Sequence, residues 1–129
     1  MTYHFSKIVD MSFDEAVAAT TEALKKHGFG VLTQIDVKET LHKKLGVDFR
    51  PYLILGACNP KMAHQALSVE DRIGTMLPCN VVVQQRGDKK VEVSAVDPVA
   101  SMSAIENPRL SSIAGEVRDQ LKQVIADIR

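Results

Sequence analysis

Two rhythms of apolar residues alternate along this chain, and each change of rhythm marks an element. Tyr3 to Val9 sets Tyr3, Phe5 and, less regularly, Ile8 on one side, a short strand pattern. It stops at Ser12-Phe13-Asp14-Glu15, a capping box in which the Ser12 hydroxyl accepts the Glu15 backbone N–H while the Glu15 side chain reaches back. Ala16, Val17, Thr20, Leu24 and His27 follow at helical spacing, and Gly28 supplies the left-handed residue that ends such a helix.

Gly30 to Asp36 predicts a second strand, and Val37 to Leu45 a short helix with Leu41 and Leu45 facing inward and Gly46 closing it. Pro51 to Ala57 is almost continuously apolar, which suits a central strand covered on at least part of both faces. Asn59-Pro60 joins a preferred N-cap to proline at the first helical position and opens a helix through Met62, Ala63, Ala66 and Leu67. After a less regular stretch holding Gly74, Pro78 introduces a strand from Cys79 to Gln85. Arg86-Gly87-Asp88-Lys89 turns it into another from Val91 to Val96. Asp97-Pro98 breaks the hairpin as a turn initiator, small residues form a loop, and Asn107-Pro108 starts a long last helix. That helix carries Leu110, Ile113, Ala114, Val117, Leu121, Val124, Ile125 and Ile128.

This order predicts an α+β domain: a largely antiparallel five-stranded sheet packed against two long helices, β-α-β-β-β-β-α with short inserted helices. The third-to-fourth link carries only a short helix and the fourth-to-fifth link is a tight turn, which favours antiparallel pairing. Antiparallel neighbours then bring the end of the third strand beside the start of the fourth, placing Cys58 and Cys79 at the same edge of the sheet.

A chain of 129 residues is long enough for one core, so a single domain over residues 1–129 is expected. Sixteen Lys and Arg balance sixteen Asp and Glu, and tryptophan is absent. Nucleic acid is therefore not an expected partner, since neither a basic excess nor stacking platforms are present. The N-terminal residues lack the pattern of a secretory signal, and no apolar run approaches the ~20 residues that cross a bilayer. A cytoplasmic protein without a membrane role is expected, its two cysteines kept as free thiols.

The segments Leu55-Gly-Ala-Cys-Asn-Pro-Lys-Met-Ala63, Leu77-Pro-Cys-Asn-Val-Val-Val83 and Val93-Ser-Ala-Val-Asp-Pro98 resemble the bacterial and archaeal family known as domain of unknown function 302. The resemblance extends over nearly the whole chain. It implies a small TATA-binding-protein-like fold and often a homodimer, and it implies no established activity. The Asn59-Pro60 helix start, Leu77-Pro78 and Asp97-Pro98 are the family's recognisable marks, whereas the cysteines occur in only some members.

Cys58 and Cys79 are the leading candidate site, since two thiols that meet can hold a soft metal, form a reversible disulfide or present a nucleophile. Cys58 leads into a helix N-terminus, which favours a thiolate. Against this, free cysteine is also a common buried apolar residue, and no short metal-ligand spacing joins the two. Asn59 and Asn80 follow the thiols, and His64 lies on the helix that Cys58 enters; all three are candidate ligand-binding residues. Six positions of helix turn His64 well away from the Cys58 direction, however. Met62, Met76 and Met102 could add soft ligands for copper or haem iron, but methionine also fills irregular gaps, and core packing is the favoured explanation.

The apolar stripe of the last helix is wider than a narrow sheet contact needs, which offers a surface for dimerisation. Three functions stay open: binding of a small molecule, a soft metal or haem near Cys58 and Cys79; thiol redox or enzymatic chemistry; and a structural or dimerisation role.

Overall fold

The computed structural model describes residues 2–129, so only Met1 of the expected 1–129 domain lies outside the described residues. The chain runs β1 (His4–Val9), α1 (Phe13–Lys26), β2 (Gly30–Asp36), α2 (Val37–Leu45), β3 (Tyr52–Cys58) and α3 (Pro60–Val69). A 3-10 helix (Asp71–Met76) leads to β4 (Cys79–Gly87), β5 (Lys90–Val96), α4 (Pro98–Ser101) and α5 (Pro108–Asp127). The five strands form one sheet in the order β1-β5-β4-β3-β2, and every pairing is antiparallel. The expected α+β architecture is therefore the observed one.

Alternation along each strand sorts the sheet into two faces. Leu55 and Ala57 of β3, Val81 and Val83 of β4, and Val91, Val93 and Ala95 of β5 are fully buried. They pack with Ala16, Ala23 and Leu24 of α1 and Val117, Leu121, Val124 and Ile125 of α5 in the main core. Alternate positions carry a polar network on the opposite face. There Glu92 accepts from Arg86 at 2.9 Å, Gln84 accepts from Arg50 at 3.1 Å, and Ser6 and Ser94 share a hydrogen bond of 2.7 Å.

The helix ends behave as the sequence indicates. Ser12 and Glu15 form both halves of the capping box, and Gly28 adopts a φ of +84°, a conformation that favours glycine. Lys7 donates to the carbonyls of Ala126 and Ile128, tying β1 to the free carbonyls at the end of α5.

Several local expectations are corrected. Leu45 is 69% exposed and Leu41 only half-buried, because α2 packs against the β2–β3 edge without a second layer over it. Tyr3 and Ile8 are exposed, and of the three residues expected on one side of the first strand only Phe5 packs against the main core. Asp97 opens a short helix where a loop was expected: its carboxylate accepts the Val99 and Ala100 N–H groups, an N-cap that Pro98 supports at the first helical position. Met76 is exposed, so packing accounts for Met62 and Met102 but not for it.

The wide apolar stripe of α5 is largely covered by the chain itself. Its outer half-turns, at Leu110 and Ala114, enter a second small core with Ala66, Ile73 and Met102. The surplus surface thus serves an intramolecular contact that the sequence pattern could not distinguish from a subunit interface.

Candidate functional site

Each of the two Asn-Pro steps does more than start a helix. The Asn59 side-chain Oδ1 accepts the Met62 N–H at 3.3 Å as the N-cap of α3, while its Nδ2 donates across to Gln120 of α5 at 3.1 Å. Asn107 mirrors this arrangement. Its oxygen caps α5 by accepting from Arg109 at 3.1 Å, and its Nδ2 donates to the Val69 carbonyl at the end of α3 at 2.9 Å. Among the good N-cap residues only asparagine couples a side-chain acceptor to an amide donor, so serine, threonine or aspartate would cap without tying the helices together. The start of α3 is thereby fixed beside the fourth turn of α5 and the end of α3 beside the start of α5, so the two helices run antiparallel.

Between these two ties the helices do not close fully, and a cavity of about 340 Å³ lies where the main core meets the smaller one. Met62 and Ala66 of α3 face Leu110, Ala114 and Val117 of α5 across it, with Ala57 and Cys79 as part of its sheet-side wall. Its polar lining groups are Thr33, Cys58, Asn59 and Cys79, and no charged side chain among the described residues lines it. Leu32 and Leu67 line it while being 69% and 43% exposed, which makes them its rim.

A β-bulge builds that rim. Val31 pairs with Ala57 and Thr33 with Gly56, which leaves Leu32 as the extra residue between them. Gly56 makes the arrangement possible, since a Cβ there would lie 2.1 Å from Thr33 Oγ1 and 2.7 Å from Pro78 Cγ. The Leu77–Pro78 peptide bond is cis.

The two thiols do come together, as the strand order requires. Cys79 sits in register with Ala57, the neighbour of Cys58, and both cysteines line the cavity as free thiols. They lie at the ends of two interior strands, so the shared edge is the end of the sheet and not one of its lateral edges. Cys58 is half-buried and Cys79 buried. Burial pushes the Cys79 thiol from its ordinary 9.0 up to about 11, and the nearby Cys58 adds to the rise. A displacement of that size disfavours the thiolate by roughly 3 kcal/mol.

The remaining candidates separate. Asn59 stays at the cavity, with both ends of its amide engaged. Asn80 is exposed and lines a shallow concavity with Gln84, Glu92 and Ser94, because it follows Cys79 in a strand and so points the other way. His64 is exposed on α3 and does not line the cavity, so it forms no pair with Cys58 there.

Chemically, the cavity is suited to apolar contact. Among the described residues no group of three or more His, Cys, Asp or Glu is placed to hold a metal ion. The thiol pair and the two lining methionines make a soft donor set, but a metal there would require Cys79 to lose its proton in an apolar wall. Haem fits the lining less well, because no histidine or cationic side chain among the described residues faces the cavity to bind iron or propionate. Sequence reasoning did not find Thr33, Leu32 or Gln120. Their roles come from a bulge and a helix pairing that leave no local pattern.

Fold and cavity together define a small α+β domain with a helix-bounded apolar pocket at the end of an antiparallel sheet. Residues 5–128 match the family described as Domain of unknown function DUF302, and the chain belongs to that family. The crystal structure of an uncharacterized conserved DUF302 protein from Bacillus stearothermophilus is similar over 100% of both chains, with a TM-score of 0.92 and 32% sequence identity. A search of curated proteins found no match. No helix among the described residues is long and apolar enough to cross a membrane.

Proposed function

We propose that this domain is a binding module for a small apolar molecule held between α3, α5 and the Cys58/Cys79 end of the sheet. The cavity carries the reading: about 340 Å³, within the range of small-molecule sites, lined by apolar side chains and opening through an exposed apolar rim. Cys58 and Cys79 act in it as wall residues, and Asn59 supplies the fixed polar edge. A thiol redox role has the placement of both cysteines on one cavity wall in its favour. The hindrance to ionising Cys79 stands against it.

The test is titration with the polyene chain fluorophore cis-parinaric acid, read as emission enhancement, for the native chain and for Ala66→Phe and Ala114→Phe. Saturable binding that both substitutions weaken at least tenfold supports the proposal. If the native chain binds no probe while both fillings raise its melting temperature, the space is a packing defect and the reading fails.

A further inference from the structure

The shape of the cavity bears on what enters it. Asn59 and Asn107 hold α3 and α5 antiparallel, and the cavity lining follows both helices, from Met62 to Leu67 on α3 and from Leu110 to Val117 on α5. On α5 the wall extends from Leu110 to Val117, eight residues or about 10 Å of helix. The small side chains of Ala66 on α3 and Ala114 on α5, each less than a tenth exposed, leave room between the two helices. Phe29 is the one aromatic among the described lining residues, so a flat ring system would find little to stack on. Met62 and Met102 supply flexible walls that follow a chain through different bends.

We propose that the occupant is a single unbranched aliphatic chain, laid along the α3–α5 slot, with its polar head left in water at the Leu32/Leu67 rim. This inference rests on the small-molecule reading above and narrows it to a ligand class. An apolar cavity of ~150 Å³ holds the six carbons of benzene, so 340 Å³ accommodates roughly a dozen. Since no charged side chain among the described lining residues awaits the head, recognition resides in the chain, and a fatty alcohol and a fatty acid of equal length present the same recognised part.

Isothermal titration calorimetry with 1-alkanols from hexanol to dodecanol, the matching alkanoates, and naphthalene separates the possibilities. Each added methylene should tighten binding about fourfold, with equal slopes for alcohols and acids, and naphthalene should bind more weakly than decanol. Ala66→Leu and Ala114→Leu, two independent ways of shortening the slot, should each end the rise at shorter chains. A flat dependence on length, naphthalene as strong as decanol, or a limit unmoved in both variants overturns the chain proposal while leaving an apolar site. Absence of binding by alkanols, alkanoates and naphthalene alike removes both.

Discussion

Asn59 and Gln120, sixty-one positions apart, are joined by an amide–amide hydrogen bond of 3.1 Å that ties the first residue before α3 to the fourth turn of α5. The same Asn59 side chain caps α3, so one residue sets both where the helix begins and what it lies against. Its loss therefore has two parts that can be measured separately.

Asn59→Ala should destabilise the domain by roughly 2 kcal/mol, about half from the cap and half from the tie. That corresponds to a fall of about 8 °C in melting temperature for a domain of this size. Gln120→Ala should cost only the tie. A double-mutant cycle by urea unfolding should give a coupling of about 1 kcal/mol, and additive losses would show that the 3.1 Å contact contributes nothing.

Gly56→Ala should be among the most damaging single changes in the sheet, at about 3 kcal/mol, since the new methyl meets Thr33 Oγ1 and the Pro78 ring at once. Adding Thr33→Ala removes the nearer clash and should recover part of the loss. Equal melting temperatures for the single and double variants would place the strain on Pro78 alone.

Cys79 should resist alkylation in the folded protein far longer than Cys58. With a value near 11, only about one Cys79 in ten thousand is ionised at neutral pH, whereas Cys58 is partly accessible. Iodoacetamide labelling followed by peptide mass spectrometry should modify Cys58 first and Cys79 mainly on unfolding. Comparable rates at both would contradict the buried placement.

The same group makes stability fall in alkali. Its folded value lies above the ordinary one, so the unfolded chain releases this proton first, and the contribution present below pH 9 is lost as pH rises toward 11. Cys79→Ala should flatten the urea-unfolding profile between those limits by up to about 3 kcal/mol relative to the native chain.

At the C-terminal end, His27 Nε2 lies 2.6 Å from Asp127 Oδ2 and holds the Asp127 carboxyl below its ordinary value, with Lys26 and Arg129 adding smaller attractions. The stabilisation is present above the ordinary carboxylate range and is lost as pH falls through the lowered value. His27→Gln should move the Asp127 titration upward when followed by NMR. An unchanged titration would assign the lowering to Lys26 and Arg129.

Much of the fold was legible in local sequence because caps and periodicity act over a few residues. Ser12 and Glu15, Asn59-Pro60 and Asn107-Pro108 mark helix starts by hydrogen bonds to N–H groups two or three positions ahead. The meeting of Cys58 and Cys79 was legible too, since the end of one strand lies beside the start of its antiparallel neighbour. Leu45 was misplaced because helical spacing shows which residues share a face but not whether anything covers it.

The sequence by itself determined the five strands, the main helices, their order and the antiparallel sheet, all consequences of backbone geometry and near-neighbour chemistry. Only the tertiary structure decided what the thiols face, because the cavity is space left between elements and has no residue pattern of its own. The Leu32 bulge, the second donor of each helix-starting asparagine and the unfilled slot between Ala66 and Ala114 all depend on partners distant in the chain. Packing settles such features, and packing is a property of the assembled elements together.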